Sequence, residues 1–335
     1  MKTAQPLPAA LKAIKSDFPD VKKPSNWQNA ADWPKISIVT PSYQQADYLE
    51  ETIRSVLTQD YPNLEYIIID GGSRDGSVEI IQHYADHLDT WLSEKDGGQT
   101  EAINKGFKLA SGDILAWLNS DDLYLPGTLF RVAQAFIADP ECLALTGLRK
   151  IIDADSQVSR NWFEWLPEAD VLRNRCEIAQ ECTFWRREIL QAIGPLDESY
   201  RFAMDYEYWQ RMTAKGFRFN FLPAYLGAIR VHDQAKSSTL HDVWSNELKK
   251  LFTQYGIAAD KEEAEILLAN VIGADYRQKM RLLKEFTQQK ASNNPANLMR
   301  LYHLLNMPIV GGLITQVHKG FNRLRSGVVH PRIAK

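Results

Sequence analysis

The first 140 residues alternate between two hydrophobic periods. The run Lys35–Thr40 is short, rich in β-branched residues and followed by Pro41, which is typical of a buried strand that enters a loop. Apolar residues then recur at helical spacing from Tyr48 to Leu57, and a second buried strand follows from Glu65 to Asp70. The pattern predicts a β-α-β unit at the start of the folded chain.

The same alternation continues for four more elements and one edge strand. We predict a helix at 78–87, a strand at 90–93, a helix at 99–109, a strand at 114–118 and a helix at 125–138. Strands that alternate with helices in this way predict an α/β fold, with a mostly parallel central sheet flanked by helices. Residues 143–231 have a mixed pattern with a helical stretch near 206–215, and the chain is helical in character beyond Thr239.

Composition restricts the class of protein. The chain has 335 residues, of which 44% are apolar and 24% charged, and this is typical of a globular protein. Its three cysteines form neither a disulfide framework nor a zinc motif, and residues 1–33 contain no apolar run like that of a signal peptide. We therefore expect a cytoplasmic protein with no nucleic-acid partner.

The charge is unevenly distributed, although the formal net charge is only -3. Residues 276–335 contain eleven Lys or Arg residues and one acidic residue, Glu285. An apolar stretch within 298–325 is too short for a membrane span and is interrupted by Pro308, Gly311 and Gly312. Two interpretations stay open: peripheral contact with the inner face of a membrane, or packing within the protein or in a homo-oligomer.

Polar segments follow three of the predicted strands. They are Pro41-Ser42-Tyr43, Asp70-Gly71-Gly72-Ser73 and Asn119-Ser120-Asp121-Asp122. Ligands of open α/β sheets bind beyond the carboxyl ends of the strands, so we expect these segments to line one crevice. The carboxylates of Asp121 and Asp122 are suited to Mg²⁺ or Mn²⁺ that bridges phosphates, although adjacent aspartates also cap helices.

Two long segments resemble the family 2 glycosyltransferases, which are inverting enzymes with a nucleotide-binding fold of the GT-A type. The segments are ISIVTPSYQQADYLEETIRSVLTQDYPNLEYIIIDGGSRDGS, from 36 to 77, and SEKDGGQTEAINKGFKLASGDILAWLNSDD, from 93 to 122. The resemblance implies an N-terminal extension (1–34), a catalytic domain (35–240) and a helical, basic C-terminal region (241–335). Within the catalytic domain it implies a nucleotide-binding half (35–122) and an acceptor-binding half (123–240).

The resemblance also implies residue roles for the donor. Asp70 would accept a hydrogen bond from the base, although relatives often carry two acids where this chain has Asp70-Gly71. The family's Asp-x-Asp metal motif has Asn119 in its first place and Asp121 in its second, and Asp122 is its neighbour. The donor-binding residues implied are Thr40, Pro41, Tyr43, Asp70, Asp96, Gln99, Asn104, Lys105, Asn119 and Ser120.

The resemblance further implies a catalytic base, a third metal residue and an acceptor site. Asp205 takes the place of the base that deprotonates the acceptor hydroxyl, and Glu207 is a candidate to orient it. His232, in the family's late loop, would help to hold the metal with Asp121 and Asp122. The residues implied for the acceptor pocket are Gln180, Glu181 and Trp185.

The predicted function is therefore a metal-dependent inverting glycosyltransferase. It would use Mn²⁺ or Mg²⁺ and a nucleotide-sugar, with a UDP-sugar as the expected donor and a glycan or lipid-linked saccharide as the acceptor. Two alternatives remain. One is a sugar-1-phosphate nucleotidyltransferase, although a triphosphate loop is missing after the first strand; the other is a non-catalytic carbohydrate-binding or scaffold protein of transferase ancestry. A nicotinamide-dependent dehydrogenase is disfavoured because no Gly-x-Gly-x-x-Gly follows the first strand.

Overall fold

The computed structural model describes residues 33–162, 178–236 and 241–258, together with residue 264. The chain divides into two compact units, 1–251 and 252–335, and the fold below is that of the first. The predicted N-terminal extension and most of the basic C-terminal region, including 298–325, lie outside the described residues. The domain divisions inferred from the sequence stay a prediction.

The first half of the catalytic domain follows the predicted alternation closely. Its elements are β1 (Ile36–Ser42), α1 (Ala46–Leu57), β2 (Leu64–Asp70), α2 (Ser77–His83), β3 (Thr90–Ser93), α3 (Gln99–Leu109) and β4 (Ile114–Trp117). Most bounds lie within one or two residues of prediction, and the ends of β1 and α2 are the clearest differences. β1 continues beyond Pro41 because Ser42 still pairs with Asp70 of β2, and α2 gives way to a short 3-10 turn at Ala85–His87.

The second half contains strands of very different length, from two residues in β5 to twelve in β9. Its elements are β5 (Leu123–Tyr124), α4 (Thr128–Ala138), β6 (Ala144–Ile152), β7 (Val158–Trp162), β8 (Thr183–Arg186), α5 (Arg187–Ile193), α6 (Met204–Ala214), β9 (Phe219–Arg230) and α7 (His241–Gln254). The predicted helix at 125–138 begins three residues late, because Gly127 adopts a left-handed conformation with φ of 79°. Residues 123–124 instead form a strand that pairs with β9.

The strands form one mixed sheet in the order β3-β2-β1-β4-β8-β6-β9-β5, and β7 pairs with β6. β3, β2, β1 and β4 are parallel neighbours, whereas β8 runs antiparallel to both β4 and β6. The carboxyl ends of β1, β2 and β4 therefore lie at one edge. The predicted α/β fold with helices flanking a mixed, mostly parallel sheet is confirmed.

An aromatic cluster packs α6 against the sheet. Trp117 of β4 stacks on Trp209 of α6, with ring centroids 5.7 Å apart and an interplanar angle of 15°. Trp185 of β8 meets both rings edge-on, at 5.5 and 5.7 Å, and Phe107 of α3 lies 5.6 Å from Trp185. Aromatic pairs in these geometries stabilise beyond the burial of their area. The position of α6 on the sheet is thus set by rigid rings.

Helix α3 lies very close to β1. A Cβ atom added at Gly106 would come within 2.2 Å of Cγ1 of Val39, so only a glycine fits at this crossing. The same helix holds the chain before α6: Thr100 donates a hydrogen bond to the carbonyl of Tyr200, and Asn104 binds both backbone groups of Leu196. α3 therefore connects the two halves of the catalytic domain.

Among the described residues, none of the helices combines the length and the apolar character that crossing a membrane requires.

We predict that Gly106→Ala lowers the free energy of unfolding by about 1–3 kcal/mol, because overpacking forces α3 away from β1. Chemical denaturation monitored by circular dichroism measures the change. Leu109→Ala, at a half-exposed position of the same helix, is the control and should change stability by less than about 0.5 kcal/mol. Equal effects of the two substitutions would contradict the packing argument.

Candidate active site

The polar segments after β1, β2 and β4 meet, as predicted, at the carboxyl edge of the sheet. The amide of Gly71 donates to the carbonyl of Ser42 at 2.8 Å, which ties the loop after β2 to the end of β1. The hydroxyl of Thr52 in α1 donates to the carbonyl of Asp122 at 2.8 Å. The turn after β4 is therefore fixed from the helix that follows β1.

Asp70 organises its own loop. Its side chain is fully buried, and its carboxylate accepts hydrogen bonds from the amides of Gly72 and Ser73 and from the hydroxyls of Ser73 and Ser93, at 2.5–3.0 Å. Three of these donors bind Oδ2, and the fourth, the hydroxyl of Ser73, binds Oδ1. Asp70 is therefore engaged in its own loop, and its contacts do not favour the expected hydrogen bond from a base to its carboxylate.

The residues after β1 differ widely in exposure. Thr40 is buried, and its hydroxyl lies 3.1 Å from that of Tyr66, so its side chain belongs to the core rather than to the crevice. Pro41 is buried within the strand. Tyr43, by contrast, is 62% exposed, which is unusual for a tyrosine close to the end of a central strand. Of the three predicted donor residues, Tyr43 alone presents its side chain to solvent.

Asp121 and His232 come together although 111 residues separate them. Nε2 of His232 lies 3.1 Å from Oδ2 of Asp121, and the imidazole packs on the ring of Tyr48. Carboxylate and imidazole side by side are a suitable donor pair for Mn²⁺. Within the described ranges no cluster of three or more His, Cys, Asp or Glu side chains is arranged to hold a metal.

Asp122 is turned away from the crevice. It is 3% exposed, and its two oxygens accept hydrogen bonds from the amide of Arg230 and from Nδ2 of Asn119, both at 3.0 Å. Burial first, and then the charges of Asp121 and Glu181, raise the pKa of Asp122 well above its usual value. The predicted role as a second metal ligand is thus not what its contacts favour. Asp122 supports the turn, and Ser120 is buried beside it.

Arg230, at the end of β9, is the principal support of this turn, and the sequence analysis did not identify its role. The guanidinium is 2% exposed and contacts Glu51 at 2.6 Å, the carbonyl of Asp121 at 2.9 Å and the hydroxyl of Ser156 at 2.8 Å. It also lies over the ring of Tyr48, with 4.7 Å to the centroid. The one feature of the sequence that could have indicated this role is the position of Arg230 two residues before His232.

Asn119 links the donor side to the second half of the domain. Its Oδ1 accepts from Nε2 of Gln99 at 2.6 Å, and its Nδ2 donates to Gln180 at 3.1 Å as well as to Asp122. An aspartate at position 119 could not donate and would face Asp122 with a second negative charge. The amide is therefore the group that this network requires.

Lys236 is a further residue that the sequence analysis missed. Its ammonium donates to Oε1 of Gln99 at 2.5 Å and to the carbonyl of Arg201 at 3.0 Å. Desolvation, and next the charge of Arg201, lower its pKa to about 8, while Asp121 and Asp205 act in the opposite direction. A cation thus lies within electrostatic reach of both functional carboxylates, and no sequence motif singled it out.

Asp205 lies in the first turn of α6, where its Oδ1 accepts a hydrogen bond from the amide of Tyr206 at 2.7 Å. Burial is the main cause that raises the pKa of Asp205 to about 6, and Glu181 adds to it while Arg149 opposes it. A carboxylate with such a pKa is a stronger base than an ordinary aspartate. Glu207, the expected orienter, instead pairs with Arg211 at 2.9 Å.

The three residues predicted for an acceptor site have different surroundings. Gln180 donates to the carbonyl of Trp117 at 2.7 Å and so belongs to the Asn119 network. Glu181 is buried and lies 3.5 Å from Arg149, which places it in the charge environment of Asp205. Trp185 is fully buried in the aromatic cluster, so the prediction that it lines an acceptor pocket is wrong.

Two of the predicted donor residues have structural partners. The amide of Asn104 is used by Leu196 and Glu198, at 2.9–3.0 Å. Lys105 pairs with Glu94 and Glu101, each at 3.0 Å. These contacts hold the loop before α6 and the loop before α3, and neither side chain joins the network around Asn119. The expectation that both bind the donor is not supported by their contacts.

Comparison with known proteins shows to which family the chain belongs. Residues 37–192 match the family described as Glycosyl transferase family 2. An uncharacterized glycosyltransferase of Rickettsia prowazekii is 30% identical over 240 residues, which cover 65% of this chain and 73% of the relative. The family match at 37–192 includes the segment 93–122 and all but the first residue of the segment 36–77.

Two solved structures share the fold. S. aureus TarS 1-349 in complex with UDP-GlcNAc superposes with a TM-score of 0.53 and 18% identity, and the match covers 71% of each chain. The mannosyltransferase PcManGT from Pyrobaculum calidifontis, in complex with GDP-Man and Mn²⁺, gives 0.52 and 20% identity, and covers 72% of this chain and 70% of that one. At these identities the likeness concerns the fold. The chain therefore belongs to glycosyl transferase family 2, and it is a glycosyltransferase that uses a nucleotide-sugar donor.

Proposed function

We propose that this chain is a metal-dependent inverting glycosyltransferase that transfers a sugar from a nucleotide-sugar, with a UDP-sugar as the expected donor, to a hydroxyl of a glycan or lipid-linked acceptor. The observation that carries the proposal is the placement of two carboxylates. Asp121 lies beside His232 in the turn after β4, and Asp205 lies in the first turn of α6 with its pKa raised to about 6. Such a pair supplies one group for the metal and one for the base.

Asp121 and His232 would hold Mn²⁺ or Mg²⁺, which when bound supplies charge neutralisation for the diphosphate that leaves. The 3.1 Å separation of their donor atoms and the position of Asp121 just beyond β4 support this role. Lys236 adds a fixed positive charge close to the same place. Asn119, Asp122 and the buried part of Arg230 keep the Asp121 turn in position. The Mn²⁺ in the GDP-Man complex of the Pyrobaculum calidifontis enzyme is consistent with this reading.

Asp205 would act on the acceptor. Its carboxylate takes the proton of the acceptor hydroxyl while that oxygen bonds to the anomeric carbon, and the bond from this carbon to the diphosphate oxygen breaks. The nucleoside diphosphate leaves from the opposite face, so the configuration at the anomeric carbon is inverted. Partial burial makes the carboxylate a better proton acceptor, and Arg149 limits how far the pKa rises.

The proposed class of acceptor depends on a segment that the structure does not describe. The predicted contact of the basic region with anionic lipid headgroups falls on 298–325, outside the described residues, and stays a prediction. A lipid-linked saccharide would suit an enzyme held at a membrane surface. A sugar-1-phosphate nucleotidyltransferase is disfavoured, because β1 ends in Pro41-Ser42 and the loop that starts at Tyr43 lacks glycines that wrap a triphosphate.

We predict that a panel of UDP-, GDP- and dTDP-sugars with Mn²⁺ contains at least one that raises the melting temperature and releases its nucleoside diphosphate. Asp121→Asn should remove the Mn²⁺-dependent part of this stabilisation, because an amide is a much weaker metal ligand than a carboxylate. Thermal shift and a diphosphate-release assay measure the two effects.

Asp233→Asn is the matched control, since it removes an exposed carboxylate next to His232 and should leave both effects unchanged. Stabilisation by no sugar nucleotide at all would contradict the transferase proposal. Full Mn²⁺ dependence in Asp121→Asn would contradict the metal assignment alone.

We predict that Asp205→Asn lowers kcat by about 10²–10⁴-fold while donor affinity stays within a few-fold, because the base acts on the acceptor and not on the donor. Single-turnover assays and donor titration separate the two quantities. Glu207→Gln, two residues along the same helix, is the comparison and should retain most of the turnover. Equal losses in the two variants would point to damage to α6 rather than to loss of a base.

The pH dependence of kcat follows from the same carboxylate. Because the base must be unprotonated, we predict that kcat falls below the pKa of about 6 with unit slope and reaches a plateau by about pH 7. A pH–rate profile between 5 and 8 at saturating donor measures this. The acidic limb should be absent from the residual activity of Asp205→Asn; a limb that persists there would assign the titration to another group.

A further inference from the structure

Three residues at the outer end of the crevice form a small group that does not include the proposed metal-binding residues or the proposed catalytic base Asp205. They are Tyr43, Gly71 and Asp96, which follow β1, β2 and β3 respectively. Gly71 occupies the place where relatives often carry a second acid next to Asp70. The neighbouring acid, Asp70, is already used by four donors of its own loop.

Asp96 occupies the space that a side chain at position 71 would enter. A Cβ atom added at Gly71 would lie 3.1 Å from both carboxylate oxygens of Asp96 and 3.2 Å from Cδ2 of Tyr43. The glycine therefore leaves room for a carboxylate that comes from a different loop. A carboxylate therefore still lies next to the end of β2, and it belongs to Asp96.

The Asp96 carboxylate has capacity left for a ligand. Its Oδ1 accepts a hydrogen bond from the amide of Gly98 at 2.9 Å, and within the part of the chain that the structure describes Oδ2 accepts none. Partial burial raises its pKa; Gly98 and Lys105 lower it, and Glu101 and Asp70 raise it. The exposed ring of Tyr43 beside it offers a flat face on which a base can stack.

An ionised carboxylate accepts hydrogen bonds and donates none. Uracil and thymine present a ring N–H between two carbonyl groups, and guanine presents a ring N–H next to an amino group. Cytosine presents an unprotonated ring nitrogen at the corresponding position, which would face the carboxylate with like partial charge. A site built around a hydrogen bond rejects an analogue that cannot make it.

We propose that Asp96 is the base-reading residue of this chain, and that it selects a nucleotide whose base carries a ring N–H, namely uracil, thymine or guanine, over one that carries cytosine. The inference rests on the proposed function, since it concerns the donor of the same site. It assigns to Asp96 the role that the sequence implied for Asp70, and it explains why Gly71 is tolerated where an acid is common.

The test is a comparison of nucleoside diphosphates by calorimetric titration of the full chain with Mn²⁺. The tightest of UDP, dTDP and GDP should bind at least about tenfold more tightly than CDP, as expected for one hydrogen bond to a charged group. In Asp96→Asn the ratio should fall by at least about fivefold, because an amide can donate to the cytosine ring nitrogen or accept from a ring N–H.

Glu94→Gln is the matched control. It removes one negative charge two residues away, from a side chain that is 59% exposed and paired with Lys105, and it should leave the ratio unchanged. Folding of each variant is checked by its melting temperature, which should stay close to that of the wild type because both side chains are near the surface.

Equal binding of CDP and the other nucleotides by the wild type, or a ratio that Asp96→Asn leaves unchanged, would overturn the assignment of Asp96 and leave the proposed function standing. A ratio that falls equally in Glu94→Gln would also overturn it, because charge alone would then be the cause. A wild type that binds no nucleoside diphosphate would overturn the proposed function and this inference together.

Discussion

The arrangement of the site depends on one buried cation. Arg230 ends β9, and its guanidinium contacts α1 through Glu51, the turn after β4 through the carbonyl of Asp121, and the turn after β6 through Ser156. A guanidinium that is 2% exposed is tolerated only with a paired carboxylate and satisfied N–H groups, and it has both. Loss of Glu51 would leave an uncompensated charge inside the protein. The three segments therefore depend on one another for their positions.

The geometry of Asp121 follows from this arrangement. The turn that carries it cannot shift without breaking contacts to Arg230 and to the buried Asp122, whose carboxylate accepts from the Arg230 amide. His232, two residues after Arg230, is brought to Asp121 by the same strand end. Asp121 and His232, which are proposed to bind the metal and lie far apart in the sequence, are thereby positioned by the backbone and side chain of a single arginine, so little conformational freedom would remain to be lost on binding.

The sequence predicted the frame of the fold well, because buried parallel strands and amphipathic helices leave strong periodic signals. The helix at 99–109 and the strand at 90–93 were predicted to the residue. Elements fixed by tertiary contacts were predicted less well. The two-residue strand at 123–124 exists because β9 pairs with it, and α4 starts late because of the backbone of Gly127.

The same division applies to the site. Motifs suggested roles for Asp121, Asp205 and His232, and those roles stay predictions. Motifs could not show how polar side chains would be shared among partners. Asp70 and Asn104 look like ligand-binding groups in the sequence, but both accept hydrogen bonds within the protein. Asp70 is bound mainly by its own loop, whereas the partners of Asn104 lie more than 90 positions away and leave no local sequence signal. Lys236 was missed for the second reason, since Gln99, to which it donates, lies 137 positions away.

Helix α3 has a consequence for how such an enzyme can change its acceptor. At its start it bears Gln99, which donates a hydrogen bond to Asn119, and five residues further on Asn104 binds the chain that leads into α6 and Asp205. If Asp121 and Asp205 have the roles proposed for them, α3, which packs on β1 at Gly106, sets the distance between the metal and the catalytic base. Substitutions elsewhere around the crevice would then alter which hydroxyl is accepted without changing this distance.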